Sequence, residues 1–154
     1  MKIDVNIRKA LPTDWETIAK FQLLMAKETE FIDLDRETVS KGVKAIFENP
    51  GLGQYFLAEV DGEIVASLMT TFEWSDWRNG MVWWLQSVYI LPEYRRLGIF
   101  RKMYDHVQQL VLQNESVSGI RLYVDASNIA AQKTYDAVGM DGEHYQLFEW
   151  MKDF

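Results

Sequence analysis

Between Gln86 and Phe100 the apolar run Val88-Tyr89-Ile90-Leu91 meets the turn Pro92-Glu93-Tyr94-Arg95-Arg96-Leu97-Gly98-Ile99. A strand that feeds a short polar turn and then a helix aims unbonded backbone N–H groups and the positive end of the helix dipole outward. A diphosphate fits such a place. Arg95 and Arg96 add two cations in a chain whose formal charge is -7, and Gly98 lets a ligand approach the backbone closely. The same segment also reads as an ordinary turn whose arginines solvate the surface.

A second chemistry-bearing segment follows at Asp125-Ala126-Ser127-Asn128-Ile129-Ala130-Ala131-Gln132-Lys133-Thr134-Tyr135-Asp136-Ala137-Val138-Gly139-Met140. Together the two segments resemble the paired motifs of the GNAT superfamily of N-acetyltransferases. The first motif there is Arg or Gln, two variable residues, Gly, one variable residue, then Gly or Ala. Arg95 and Gly98 match, while Phe100 fills the final small position, so its side chain must point away from a pyrophosphate or the loop must differ locally. In the second segment Asn128, Ala131, Tyr135 and Gly139 match, and the likeness in element order spans nearly the whole chain.

The resemblance implies transfer of an acetyl group from acetyl-coenzyme A to an amine by direct attack. It puts the donor in a splay between the strand ending at Ile90 and a parallel strand, Ile120 to Val124. The backbone near Val88 and Ile90 holds the pantetheine, and amides of Arg96, Leu97, Gly98, Ile99, Phe100 and Arg101 cradle the pyrophosphate beside Arg95. Asn128 caps its helix and contacts the coenzyme. Tyr135 protonates the leaving thiolate, which suits a phenol with an ordinary pKa of about 10. Such chemistry needs no cysteine, and the chain has none. A non-catalytic acyl-coenzyme A sensor that keeps the phosphate loop is the alternative.

The acceptor side is less defined. Alternation places Gln86 on one strand face with Val88 and Ile90, where its amide can orient a water. Glu73, Asp76, Glu28 and Glu30 are candidate bases and ammonium-binding carboxylates, and each also reads as a surface acid. Trp74, Trp77, Trp83 and Trp84 concentrate four of six tryptophans on one loop and strand. Aromatic faces beside carboxylates bind a small cationic amine, favoured here over a peptide N-terminus or lysine, and the same composition suits the contact of a homodimer. Trp83 and Trp84 point to opposite faces, so one of them serves structure. His106 and His144 make no convincing metal cluster.

These residues need a scaffold. A chain of 154 residues, 48% hydrophobic, makes one core, read as a single domain over 1–154. The acidic balance argues against nucleic acid. No run of about 18 uncharged apolar residues and no secretory leader is visible, so no membrane association and a cytoplasmic location are expected. Alternation over Ile3, Val5 and Ile7 predicts a first strand. Helical spacing predicts helices from Trp15, capped by Thr13 or Asp14, and over 35–47, stopped by Asn49-Pro50-Gly51. Tyr55 to Val60, Asp61-Gly62 and Glu63 to Phe72 predict a hairpin, which Met81 to Leu91 extends to an antiparallel meander. A helix over 96–112, a strand over 119–124, a helix from Ser127 or Asn128 ended by Gly139, and a strand over 143–151 complete two β-α-β passages. The fold class is therefore α/β, a mixed and mainly antiparallel sheet flanked by helices. The resemblance adds the splayed central strand pair.

Overall fold

Asp61 and Gly62 are both left-handed, with φ of 51° and 78°. A two-residue turn of that hand matches the twist of the strands it joins. It connects β2 (Gln54–Val60) to β3 (Glu63–Ser75), and a second hairpin leads to β4 (Gly80–Ile90). β1 (Asn6–Lys9) lies antiparallel on β2, and β5 (Val117–Arg121) lies parallel to β4, giving the sheet order β1-β2-β3-β4-β5. The sheet is thus mixed and mainly antiparallel, as the sequence predicts. The structure, a computed structural model, describes residues 3–152 and divides into two units, Met1–Arg121 and Leu122–Phe154; the expected domain, 1–154, reaches beyond the described residues at both ends.

Helices cover both faces of the sheet in the first unit. α1 (Trp15–Glu30) and α2 (Arg36–Glu48) bury Ile18, Ala19 and Val43 against Tyr55 and Leu57. α3 (Ile99–Leu112) covers the other face, where His106 stands edge-on to Phe56 at 5.7 Å and Met103 and Val107 are fully buried. Hydrophobic burial of this kind supplies most of the folding free energy, at roughly 25 cal/mol per Å². Gly80 lets β4 start tight against the beginning of β5, since a Cβ there would lie 2.9 Å from Ser118 Oγ and 3.0 Å from Ser116 O.

Several boundaries differ from the sequence reading. Asp14 precedes α1, yet its carboxylate turns backward to accept from Leu11 N–H at 2.7 Å and from both terminal nitrogens of Arg8 at 2.8 and 3.1 Å. The guanidinium holds that carboxyl below its ordinary range. Asp35 does cap α2, accepting from Thr38 N–H at 3.0 Å. α3 starts at Ile99 rather than at Arg96, because Arg96 and Gly98 are left-handed, with φ of 64° and 78°. β5 is Val117–Arg121 rather than 119–124.

In the second unit, α4 (Ile129–Ala137) ends at left-handed Gly139, φ 91°. Met140 N–H then donates to Tyr135 O at 3.1 Å, closing the helix end. The strand expected over 143–151 is not formed. Alternation breaks at Leu147-Phe148 and Trp150-Met151, and no ladder partner engages the segment among the described residues, so the β pattern lacks the pairing that a strand requires. Among the described residues, the first β-α-β passage, β4-α3-β5, is therefore the one that forms. Among the described residues no helix is long and apolar enough to cross a membrane.

Candidate active site

The central feature is a bulge that periodicity does not reveal. Gln86 pairs with Met69 and Tyr89 with Ser67, so Ser87 and Val88 together oppose Leu68. Ser87 is left-handed, φ 53°, a conformation costing a non-glycine residue on the order of 1 kcal/mol. An extra residue reverses the alternation beyond it. Gln86 consequently shares its face with Tyr89, and the expectation that it shares a face with Val88 and Ile90 is corrected. The only sequence signal is a small polar residue inside an apolar run.

The bulge divides β4 into two stretches with different neighbours. The parallel ladder with β5 stops at Trp84 and Arg121, while β4 continues to Ile90. Leu91 N–H donates to Val65 O on β3 at 2.9 Å, so alternation turns the N–H and C=O of Ile90, and those of Val88, toward the side without a strand. Tyr89 faces α1 instead, its ring 5.3 Å from that of Phe21.

The polar turn follows at once. Its two left-handed residues flank Leu97, and the first helical hydrogen bond runs from Lys102 N–H to Gly98 O at 3.2 Å. N–H groups of the opening turn therefore point out of the helix end. No acidic residue occupies the first turn of α3, whereas Arg101 and Lys102 do. A Cβ on Gly98 would meet nothing within 4 Å, so space in front of this backbone is open to a ligand. Ile99 and Phe100 are buried, Phe100 against Tyr104 at 6.2 Å between ring centres. The bulky residue at the motif's small position thus points into the core.

Arg95 is engaged within the protein. Its Nε donates to Ile90 O at 2.8 Å, and a terminal nitrogen lies 3.3 Å from the Glu28 carboxylate. Glu30 ends α1 and is exposed. On the α1–α2 face, Gln86 Nε2 donates to Thr71 Oγ1 at 2.6 Å, and Arg121 donates to Glu73 at 2.6 Å across β4. Val82, Trp84 and Gln86 share this face by register with Glu73, Thr71 and Met69. Trp83 is on the opposite face and packs edge-on to Phe72 at 5.9 Å. Thr71 and Arg121, missed in the sequence, become visible only through that register.

Not every candidate gathers there. Asp76 and Trp77 sit at the β3–β4 hairpin tip, where Asp76 accepts from Trp77 N–H at 2.9 Å. The length of β4, about 33 Å at strand rise, separates that tip from Ile90. Trp77 is 93% and Trp74 60% exposed. In the second unit, Asn128 accepts from Ala131 N–H at 3.0 Å and caps α4. Tyr135 is half-buried, and burial pushes its phenol above the ordinary value. His144 lies 3.0 Å from Asp141.

A curled mixed sheet with a bulged fourth strand feeding a basic helix start places the chain among the acetyltransferases. It belongs to the acetyltransferase (GNAT) family, whose model matches residues 14–140. A possible acetyltransferase from Clostridium difficile 630 is 41% identical, over 97% of this chain and 99% of its own, with a TM-score of 0.90. An aminoglycoside N-acetyltransferase in complex with CoA shares the fold over 99% of this chain and 98% of its own, at 16% identity and a TM-score of 0.79. A ribosomal-protein-alanine N-acetyltransferase from Brucella melitensis biovar Abortus 2308 does so over 96% and 100%, at 14% identity and a TM-score of 0.76. No protein with a curated description matches the sequence.

Proposed function

We propose that the chain transfers the acetyl group of acetyl-coenzyme A to an amine of a small cationic molecule. The observation that carries this reading is the continuity of β4: Val88 and Ile90 turn backbone donors to the side without a strand, and the next residues form the basic turn and helix start. One segment can thus bind a pantetheine by its amides and a pyrophosphate by its helix end. The solved aminoglycoside acetyltransferase bound to CoA supports the same donor.

In the reaction the neutral amine attacks the thioester carbonyl, forming C–N as C–S breaks, and the sulfur leaves as thiolate. Tyr135, matched to the family motif, gives the thiolate its proton. The amine's surplus proton leaves through water. Gln86 suits the handling of that water: Thr71 accepts from its amide nitrogen, which fixes the orientation of the amide oxygen. Glu28 and Glu73 each face an arginine, so this face offers ordered acceptors more than a free base. Trp84 lies between Glu73 and Gln86 on the same face and supplies an aromatic wall for a cation.

An acceptor panel tests the choice of substrate. Small di- and polyamines and aminoglycosides are expected to give kcat/KM values about 10-fold or more above those of peptides with free N-termini, the scale of one lost charge-assisted contact. Preferential acetylation of the peptides contradicts the small-molecule reading. With no dedicated base, the rise of kcat/KM with pH is expected to follow the pKa of whichever amine is used.

A further inference from the structure

Arg95 stands where the family motif begins, yet its guanidinium is committed on three sides. Nε donates to Ile90 O at 2.8 Å, one terminal nitrogen lies 3.4 and 3.3 Å from the two Glu28 oxygens, and the guanidinium carbon is 5.5 Å from the centre of the Tyr89 ring. The Tyr89 phenol is buried, 4% exposed as a residue, and feels the Glu28 carboxylate. Burial first, and then that carboxylate, push the phenol up to about 12, so it stays protonated.

Each contact joins a different part of the site. Ile90 O lies on the strand side assigned to the pantetheine. Glu28 belongs to the last turn of α1, the helix packed on the proposed acceptor face. Tyr89 is the β4 residue that the bulge turns toward α1. Capping Ile90 O removes one of two acceptors there and leaves the N–H groups of Val88 and Ile90 beside the Val88 carbonyl, a balance that favours carbonyl groups of a ligand. A planar fork can donate to the backbone and reach a carboxylate at once; an ammonium cannot reproduce that geometry.

We infer that Arg95 is a positioning residue, held by Glu28 and Tyr89, that sets the coenzyme turn and couples donor binding to the acceptor side of the sheet. The coupling rests on the acetyltransferase reading, whereas the tie itself does not. A direct phosphate contact by Arg95 makes the opposite prediction for Glu28, because a carboxylate competes with phosphate for the same cation.

Calorimetric titration of acetyl-CoA separates the two. Glu28→Ala is expected to weaken acetyl-CoA binding about threefold to fivefold, the scale of one partly exposed ion pair. Glu28→Gln, which keeps an oxygen at the same reach, recovers part of the loss. Arg95→Lys weakens binding similarly, and the double variant is no weaker than the weaker single, since both break one tie. If the tie couples the two sites, the factor by which a saturating amine changes the Kd of acetyl-CoA falls toward one in Glu28→Ala and Arg95→Lys alike. Tighter acetyl-CoA binding in Glu28→Ala, or strictly additive losses, overturns the proposal. Hydrogen exchange of the free protein gives a coenzyme-independent reading: Glu28→Ala speeds exchange of the amides over 91–98, and unchanged exchange there overturns the tie. If the wild-type chain binds no acetyl-CoA, the acetyltransferase reading falls while exchange still decides the role of Arg95.

Discussion

Replacing Tyr135 by phenylalanine is expected to lower kcat by about 10²-fold, the lower range for loss of a positioned general acid, with acetyl-CoA affinity changed less than about twofold. The substitution keeps the ring and its packing, so a loss in kcat alone isolates the hydroxyl. Burial raises the phenol's pKa. A raised value keeps it protonated across neutral and mildly alkaline pH, and its activity is lost only as pH rises through that value. The wild-type kcat should therefore show no alkaline fall below about pH 10, the ordinary phenol value. Unchanged kcat in the variant removes Tyr135 from the transfer step.

Gly98→Ala tests the donor half. Gly98 has φ 78° and nothing within 4 Å of a built Cβ, so alanine meets no protein atom and pays only for the left-handed backbone, about 1 kcal/mol. On the proposed donor reading the methyl group also displaces the pyrophosphate from the amides by roughly a van der Waals step, which costs more. A rise of about 10-fold or more in the KM for acetyl-CoA is expected, in line with the sensitivity of positioned groups to small displacements. Thermal unfolding together with steady-state kinetics separates the effects. A drop in stability without a change in KM makes Gly98 a conformational residue only.

The sequence is most legible where local chemistry decides structure. Asp61-Gly62 requires left-handed geometry and makes its turn; Asn128 and Gly139 start and end α4 as their side chains, or lack of one, dictate. The core position of Phe100 follows from an apolar ring to bury, which packs on Tyr104. Features made by pairing are hidden. Ser87 looks like any strand residue until Leu68 faces two residues at once, and that single insertion moves Tyr89, not Val88, to the α1 face. The tie of Arg95 to Glu28 joins residues distant in the chain, so no spacing rule exposes it. The segment over 143–151 shows the converse error: strand-forming residues make a strand only with a neighbouring ladder to complete their hydrogen bonds.

The two halves of the function separate by chemistry. A sensor that binds acyl-coenzyme A uses the turn, Gly98 and the strand edge, and gains nothing from an acid beside sulfur. A transferase needs both halves. The decisive measurement is the rate of free coenzyme A thiol formation from acetyl-CoA by the wild-type chain, with and without the amine panel. Thiol release that depends on amine and saturates with it, with one acetylated amine per thiol, is the predicted result. Saturable acetyl-CoA binding with no amine-dependent thiol release contradicts the account and leaves a coenzyme-binding module.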